Sequence, residues 1–170
     1  MTPTRMTVSL RYGSHLPVLM RAFDRSTGPV LELGMGVFST PYLHYACMLA
    51  GRQLVSYDDN TRWIGLFEPY QSLLHDIRLV DDWDTIDLAV HWALALVDHT
   101  DTWRAHDIER LAWYAQYVIV HDTNGRYESS YHYSTIYTLF RYKLYYTGAF
   151  PSTTVLSNFC DLGDFWSGHR

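Results

Sequence analysis

The feature that most constrains the fold is the stretch at residues 29–42, PVLELGMGVFSTPY. It begins with a short apolar run that predicts a buried strand, and it continues into a turn that contains Gly34 and Gly36. Thr40 is a good N-cap and Pro41 fits the first helical position, so a helix is expected to begin there. The stretch therefore predicts a strand, a glycine turn and a helix whose first N–H groups lie beside the glycines.

Such a turn can hold a nucleotide-like ligand close to the main chain. A full dinucleotide fingerprint has a third glycine, but Ser39 occupies that position. Glu32 lies two residues before Gly34, where its charge would repel a pyrophosphate and attract an ammonium group. The pattern Glu32, Gly34, Gly36 resembles the first motif of class I S-adenosylmethionine (SAM)-dependent methyltransferases. The resemblance implies that these residues and Ser39 bind the cofactor, whereas the alternative is a purely structural turn.

Apolar stretches that predict strands alternate with segments of helical periodicity along the rest of the chain. Strands are expected at residues 30–33, 53–57, 77–80, 92–97 and 117–120, and helices are expected to begin near residues 14, 41, 61 and 101. This alternation predicts an α/β fold, with a doubly wound, Rossmann-like sheet of five parallel strands and helices on both faces. The β-rich segments 142–147 and 153–157 predict a C-terminal antiparallel hairpin at the sheet edge. This is also the outline of the class I methyltransferase fold.

The composition indicates a single globular domain. Of 170 residues, 48% are hydrophobic, and the sequence shows no repeat or low-complexity segment that would mark a second unit. Within this domain we expect an N-terminal helical lead-in (1–28), a cofactor-binding core (29–122) and an acceptor-side segment with the edge hairpin (123–170). The net charge of -5 argues against a nucleic-acid or membrane-surface partner and favours a small, uncharged or cationic ligand.

Two further features of the sequence bear on the cellular compartment of the protein. Cys47 and Cys160 are far apart in sequence and lack the spacing of a metal site. The N-terminal residues lack an apolar run long enough for a signal peptide or a membrane span. We therefore expect reduced cysteines and a cytoplasmic protein.

An acidic residue stands at or next to the carboxyl end of every predicted parallel strand. These acids are Glu32, Asp58 with Asp59, Asp81 with Asp82, Asp98 and Asp122. Ligands of doubly wound sheets bind beyond the carboxyl ends of the strands. The acids are therefore expected to converge on one rim of the sheet, where they would receive a positively charged sulfur compound.

The methyltransferase resemblance implies roles for several of these positions. Asp58 lies where family members use an acid to bind the ribose hydroxyls. Asp59 competes for this role, or it caps the next helix instead. Asp82, or Asp81 beside it, would face the adenine amino group, with Trp83 stacked on the adenine ring. The alternative for this second pair is a solvated turn.

The segments VDH at residues 97–99 and HDT at residues 121–123 resemble the small-molecule branch that includes catechol O-methyltransferase. The resemblance implies that Asp98 and Asp122 bind a magnesium ion together with Asn124 or Thr123, and that Asp98 lies beside the cofactor. The Asn124 amide comes one residue later than in that branch. A bound Mg²⁺ would lower the pKa of an acceptor hydroxyl so that it can attack a methyl group.

A metal-free mechanism is the alternative. His99 or His121 would then act as general base next to Asp122, because imidazole has a pKa near the working pH and nearby acids would raise it. Either histidine could instead be a hydrogen-bonding brace at a strand end. Methyl transfer is an in-line displacement at the sulfonium carbon, so it needs no covalent nucleophile and depends mainly on positioning.

The segment at residues 123–140 is polar and rich in tyrosine. Its tyrosines include Tyr127, Tyr131, Tyr133 and Tyr137. We assign this segment to the acceptor, with Arg126 available to an anionic group. It could equally be an amphipathic helix whose tyrosines pack on the sheet. In the lead-in, Tyr12 and His15 would cover the methionine end of the cofactor, or would only begin a helix.

These features together predict a SAM-dependent methyltransferase that modifies a hydroxyl of a small-molecule or glycosidic acceptor. The chain lacks the long insertions that cap the acceptor in many methyltransferases, so a second subunit of a homo-oligomer could complete the site. A non-catalytic SAM-binding or regulatory domain is the first alternative. An NAD-dependent oxidoreductase is the second, and Glu32 and Ser39 argue against it.

Overall fold

The computed structural model describes residues 9–99, 101–125 and 128–167. Arg126 and Tyr127, which the sequence assigns to acceptor binding, lie outside these residues. The strands are β1 Val30–Leu33, β2 Leu54–Asp58, β3 His75–Leu79, β4 Trp92–Val97, β5 Ala115–Val120, β6 Tyr142–Tyr146 and β7 Thr153–Ser157. The helices are α1 Leu16–Asp24, α2 Ser39–Ala50, α3 Thr61–Phe67, α4 Asp101–Leu111, α5 Glu128–Tyr131 and α6 Tyr133–Ile136, with short 3₁₀ helices at Leu10–Gly13, Glu68–Tyr70, Trp83–Thr85 and Tyr137–Leu139.

These strands form a seven-stranded sheet with the order β3-β2-β1-β4-β5-β7-β6. β1 to β5 are parallel, and β7 is antiparallel to both β5 and β6. The sheet therefore contains the five predicted parallel strands and, beside β5, the predicted hairpin. The strand order reverses between β1 and β4, and ligands of open α/β sheets bind at the carboxyl ends of strands on either side of such a reversal.

The sheet is buried on both faces, which is why β4 is apolar throughout. All six residues of β4 are buried. Ala95 and Val97 pack in a cluster with residues of α4, α5 and α6 on one face. Leu94 and Leu96 pack with residues of α1 and α2 on the other face. Alternate side chains of a strand point to opposite faces, so the two clusters use alternate residues.

The residues that cap α2 and α3 differ from those expected, in ways that matter for the site. α2 begins at Ser39 with Phe38 at its N-cap, so Thr40 lies inside the first turn and its hydroxyl is used elsewhere. α3 begins after Asn60, whose side chain accepts the Arg62 N–H at 2.9 Å. Among the residues that the structure describes, no helix is long and apolar enough to cross a bilayer.

Candidate functional site

The carboxyl ends of β1, β2, β4 and β5 meet at one edge of the sheet, which we call the strand-end rim. The strand registers place Leu33 beside Tyr57 and Val97, and Val97 beside Val120. The rim consists of the residues at these ends, which are Gly34, Met35, Gly36, Asp58, Asp98, His99, His121 and Asp122. Parallel pairing therefore brings together most of the residues that the sequence assigned to the site.

Gly34 ends β1 in a conformation and a space that suit only glycine. Its φ is +90°, and an added Cβ would lie 2.5 Å from the backbone C and O of Asp98 and from the backbone N of His99. The Asp98 N–H donates to the Leu33 carbonyl at 2.7 Å across the same contact. Gly34 therefore allows the ends of β1 and β4 to approach each other.

Gly36 and Ser39 lie together at the start of α2. Ser39 is buried, and its Oγ lies 3.2 Å from the position that a Cβ on Gly36 would occupy. The structure thus brings these two predicted cofactor residues together. Ser39 takes the position of the third glycine of a dinucleotide fingerprint, in a close contact between the turn and the helix.

Side chains from other elements hold two N–H groups of the turn. The Met35 N–H donates to Asp58 Oδ2 at 2.7 Å, and the Gly36 N–H donates to Thr40 Oγ1 at 2.9 Å. Asp58 Oδ1 also accepts the Asn60 N–H at 2.8 Å. Burial raises the pKa of Asp58 to about 6. The turn is therefore shaped by the protein itself, with Asp58 fixed at the end of β2 as the resemblance implies.

Glu32 supports this turn from inside the protein. Its side chain is fully buried. Thr40 Oγ1 donates to Oε1 at 2.9 Å, and Ser56 Oγ donates to Oε2 at 2.6 Å. The carboxylate therefore orients the same Thr40 hydroxyl that holds Gly36. This corrects the expectation that Glu32 attracts an ammonium group at the rim, because hydroxyls in the core occupy both of its oxygens.

The buried Glu32 predicts an unusual pH dependence of stability. Burial raises its pKa from the ordinary 4.5 to about 7, so the folded protein binds a proton that the unfolded chain releases above pH 4.5. Stability from this group is full below pH 4.5 and is lost as the pH rises through 7, by about 3 kcal/mol in all. We expect the free energy of unfolding of the wild type, measured relative to Glu32→Gln by urea titration, to fall across this interval.

The Glu32→Gln variant is the matched control for other titrating groups in the same pH range. Ser56 Oγ also lies 2.9 Å from Nε2 of the buried His75, and burial lowers the pKa of that histidine to about 4. His75 is present in both proteins, so its contribution cancels in the difference between them. Parallel pH profiles for the two proteins would show that Glu32 ionises normally.

The residues predicted to bind the adenine are engaged in other contacts. Asp82 caps the short helix Trp83–Thr85 by accepting the Asp84 N–H at 3.0 Å. Trp83 is buried, its Nε1–H donates to Asp59 at 3.1 Å, and its ring centroid lies 4.2 Å from that of His99. The structure therefore corrects the stacking prediction, because the indole ring is buried and His99 packs against it edge to face. Asp59 anchors this indole and does not cap α3.

The side chain of His99 links the end of β4 to α4. Its Nε2 lies 2.8 Å from Asp107 Oδ2, and the two side chains are 1% and 0% exposed. Burial lowers the pKa of His99. Asp107 also accepts from Arg110 at 2.8 Å. This histidine is the hydrogen-bonding brace that the sequence left as an alternative, and its burial excludes it as a general base in this arrangement.

Arg104 of α4 supplies the positive charge of the rim, and the sequence interpretation missed it. Its guanidinium donates to Asp98 Oδ1 at 2.9 Å and lies 3.7 Å from Asp122 Oδ2. It also donates to the carbonyls of His99 and His121 at 2.5 and 3.1 Å. Burial alone would raise the pKa of Asp98, but His121 and Arg104 lower it to about 2.

His121 is held on both sides of its ring. Nδ1 lies 3.0 Å from Asp98 Oδ2, and Nε2 lies 2.8 Å from Ser14 Oγ. Burial opposes its protonation, but Asp98 outweighs burial and raises the pKa of His121. Its side chain is only 4% exposed. The structure therefore corrects the assignment of His121 as general base, because both nitrogens are engaged and an acceptor cannot reach them.

The three predicted magnesium ligands do not assemble into an oxygen site. Asn124 Oδ1 accepts from the backbone N–H and the hydroxyl of Ser152, at 2.8 and 3.1 Å. The Arg104 guanidinium lies between Asp98 and Asp122 and occupies the position that a metal ion would take. The residues present therefore do not fit Mg²⁺, which requires several oxygen ligands in an octahedral arrangement.

The described tyrosines of the 123–140 segment pack on the sheet. Tyr131, Tyr133 and Tyr137 are buried in the cluster that contains α4. The guanidinium of Arg104 lies 5.0 Å from the ring centroid of Tyr131. These three residues agree with the interpretation that the tyrosines of the segment pack on the sheet, and not with a role in binding the acceptor. Tyr12, which the sequence places over the methionine end of the cofactor, is 59% exposed.

Comparison with solved structures identifies the fold. The methyltransferase domain of METTL16 has a TM-score of 0.63 at 11% identity, over 91% of this chain and 84% of that chain. The O-methyltransferase TomG from Streptomyces achromogenes, solved in complex with SAM, has a TM-score of 0.63 at 14% identity, over 89% and 82%. The human methyltransferase 10 domain containing protein has a TM-score of 0.60 at 12% identity, over 92% and 86%. The chain has the fold of these methyltransferases.

At the level of sequence, no protein-family model and no curated protein matches the chain. The predicted α/β fold of class I methyltransferases is confirmed, with the seven strands described above. Identities of 11–14% leave the small-molecule branch undistinguished from other methyltransferases.

Proposed function

We propose that this protein is a SAM-dependent methyltransferase. The observation that carries the proposal is the strand order β3-β2-β1-β4-β5-β7-β6 with a preorganised glycine turn directly after β1. Solved methyltransferases, one of them in complex with SAM, share this fold over about nine-tenths of the chain. Ligands of such sheets bind at the strand ends, where the turn lies.

The proposed cofactor site is formed by Gly34, Gly36, Ser39 and the rim acid Asp58. Asp98, which the resemblance placed beside the cofactor, is bonded through its two oxygens to Arg104 and His121. Asp58 is fixed by two backbone N–H groups, and the remaining lone pairs of its oxygens would accept hydrogen bonds from the ribose hydroxyls. SAM supplies a methyl group on a sulfonium, and a cation of this kind is favoured beside carboxylates. Glu32 contributes indirectly, by holding Thr40 beneath the turn.

The proposed acceptor is a hydroxyl of a small or glycosidic molecule. The acidic net charge of -5 supports an uncharged or cationic acceptor, and one structural neighbour, TomG, is an O-methyltransferase involved in tomaymycin synthesis. Asp122 is the rim acid closest to the acceptor side in this proposal, and its side chain is 21% exposed. Catalysis would come mainly from positioning the acceptor oxygen in line with the sulfonium methyl group and excluding water.

One observation favours a non-catalytic SAM-binding domain as the second candidate. The two histidines that the sequence offered as bases are buried and bonded, His99 to Asp107 and His121 to Asp98 and Ser14. A domain that binds SAM without transferring its methyl group needs no base. A methyltransferase would also need no general base if the hydroxyl of its acceptor were already acidic.

Thermal unfolding with added ligands tests the cofactor assignment. SAM and S-adenosylhomocysteine at about 100 times their dissociation constants should raise the thermal midpoint by roughly 5–10 °C. Gly36→Leu should abolish this shift, because a side chain there enters the turn against Ser39. Gly65→Leu, in exposed helix surface with nothing within 4 Å of its Cβ position, is the matched control and should keep it. A shift with NAD alone would reject the proposal.

Transfer of a labelled methyl group to a pool of small metabolites separates the two candidates. A methyltransferase should label an acceptor, and Asp122→Ala should abolish labelling while the thermal shift with SAM persists. SAM binding without labelling of any acceptor would favour the non-catalytic domain.

A further inference from the structure

Three side chains from distant parts of the sequence meet beside the strand-end rim. His15 precedes α1, Asp98 follows β4, and His121 follows β5. Each offers one metal-ligating atom, and these atoms all lie within 4.8 Å of one another. Among the residues that the structure describes, this is the one such group of histidine, cysteine and acidic side chains. It differs from the oxygen set of Asp98, Asp122 and Asn124.

His15 is buried in a way that its protein contacts do not explain. It is 1% exposed, and neither ring nitrogen has a hydrogen-bond partner among the described residues. Its ring centroid lies 4.7 Å from that of His121, at 73°. Burying an unsatisfied polar group costs roughly 1–3 kcal/mol, so a buried imidazole is expected to bind something. An ion between the two histidines would satisfy one of these nitrogens.

Asp98 and His121 already have the spacing of two adjacent ligands. Asp98 Oδ2 and His121 Nδ1 are 3.0 Å apart. Two ligands that each lie about 2.1 Å from one tetrahedral metal would be about 3.4 Å apart, only about 0.4 Å more. Replacing the proton between them with an ion therefore needs little movement of either side chain.

The surrounding contacts are those that support a metal ligand. Ser14 Oγ lies 2.8 Å from His121 Nε2, so this nitrogen can carry the proton and leave the Nδ1 lone pair for an ion. Arg104 holds the other Asp98 oxygen at 2.9 Å and fixes the carboxylate. Ligating histidines and carboxylates are oriented by such outer hydrogen bonds in known metal sites.

We propose that His15, Asp98 and His121 bind a divalent transition-metal ion, and that the ion fastens the N-terminal segment to the strand-end rim. Two imidazole nitrogens and one carboxylate suit Zn²⁺ and its first-row neighbours, whereas Mg²⁺ prefers oxygen ligands throughout. The segment at residues 10–16 also lies close to the start of α2 at Gly13, where an added Cβ would lie 3.0 Å from the ring of Phe38. The ion would thus join this segment to the ends of β4 and β5.

Zn²⁺ titration of chelator-treated protein by calorimetry, without SAM, tests this site independently of methyl transfer. The wild type should bind one Zn²⁺ per chain, and Zn²⁺ should raise its thermal midpoint, whereas Mg²⁺ should do neither. His15→Gln should weaken Zn²⁺ binding by about 100-fold or more, beyond what loss of an outer hydrogen bond usually costs. Zn²⁺ should also slow hydrogen exchange of residues 10–16 in the wild type.

Two other histidine variants make the result decisive. His91→Gln removes an exposed histidine and should leave Zn²⁺ binding unchanged. His75→Gln tests the other close histidine pair, since Nδ1 of His75 lies 3.1 Å from Nδ1 of His44. Thermal unfolding of metal-free His15→Gln should match the metal-free wild type, because its imidazole has no hydrogen bond to lose. Absence of Zn²⁺ binding, equal binding in His15→Gln, or loss in His75→Gln alone would overturn the proposal.

Discussion

Replacing Gly34 with alanine is expected to destabilise the protein more than any other single methyl addition at the rim. The new Cβ would lie 2.5 Å from three backbone atoms at the end of β4, and strand backbone cannot move aside as a flexible side chain can. The residue would also keep φ near +90°, which is unfavourable for an L side chain. Overpacking and backbone strain together should cost roughly 3–5 kcal/mol and lower the thermal midpoint by roughly 10 °C.

Gly51→Ala is the control that separates these two causes. Gly51 also has a positive φ, +65°, at the end of α2, but nothing lies within 4 Å of its Cβ position. This variant should show the strain alone, about 1 kcal/mol. If Gly34→Ala costs no more than Gly51→Ala in thermal or urea unfolding, the ends of β1 and β4 do not approach as closely as described.

The sequence predicted the sheet well where burial alone decides the pattern. β4 runs over Trp92–Val97 as predicted, because a strand covered on both faces must be apolar at every position. β3 begins earlier than predicted, at His75. This histidine is polar in sequence but buried in the fold, where it contacts Ser56 of β2 and His44 of α2. Periodicity along one segment cannot reveal such partners.

The candidate site was predictable in its location and less so in its chemistry. Parallel pairing requires the strand ends to meet, so the convergence of Asp58, Asp98 and Asp122 on one rim followed from the strand assignments. Glu32 failed as a rim residue because it lies inside β1, and the side chain meets hydroxyls of Thr40 and Ser56 in the core. Which face of a strand a side chain takes depends on partners from other segments.

The N-terminal segment shows the same limit. A helix was expected to begin near residue 14, but the hydroxyl of Ser14 contacts His121, 107 residues away. His15 was placed near the methionine end of the cofactor, and the structure buries it against His121. A single sequence cannot distinguish a residue that begins a helix from one that contacts the strand-end rim, because serine and histidine are common in both positions.

Arg104 could have been suspected from the sequence. It lies in the helix that follows β4, six residues after Asp98, and a buried cluster of acids requires a cation or protons. The sequence interpretation assigned that cation to magnesium. The choice between an arginine and a metal depended on whether the helix turns its guanidinium toward the strand ends, which the order of residues alone does not determine.

Replacing Arg104 with methionine is expected to cost about 3–5 kcal/mol of unfolding free energy, because removing one partner of a buried ion pair leaves the others uncompensated. Methionine keeps the apolar stem of the side chain and removes the guanidinium, so the loss combines the charge with the hydrogen bonds to the His99 and His121 carbonyls. Asp98 would keep its His121 contact but lose the donor at 2.9 Å. Urea unfolding at neutral pH measures the difference.

The added substitution Asp98→Asn distinguishes this charge effect from lost packing. If charge is the cause, the double variant Arg104→Met, Asp98→Asn should be more stable than Arg104→Met alone, since the carboxylate that lost its guanidinium partner is gone. Arg78→Met is the surface control: its partner Asp76 lies at 2.6 Å, but the two side chains are 51% and 42% exposed. Exposed pairs contribute about 0–1 kcal/mol. Equal losses for Arg104→Met and Arg78→Met would mean that solvent, and not Arg104, balances the acids of the rim.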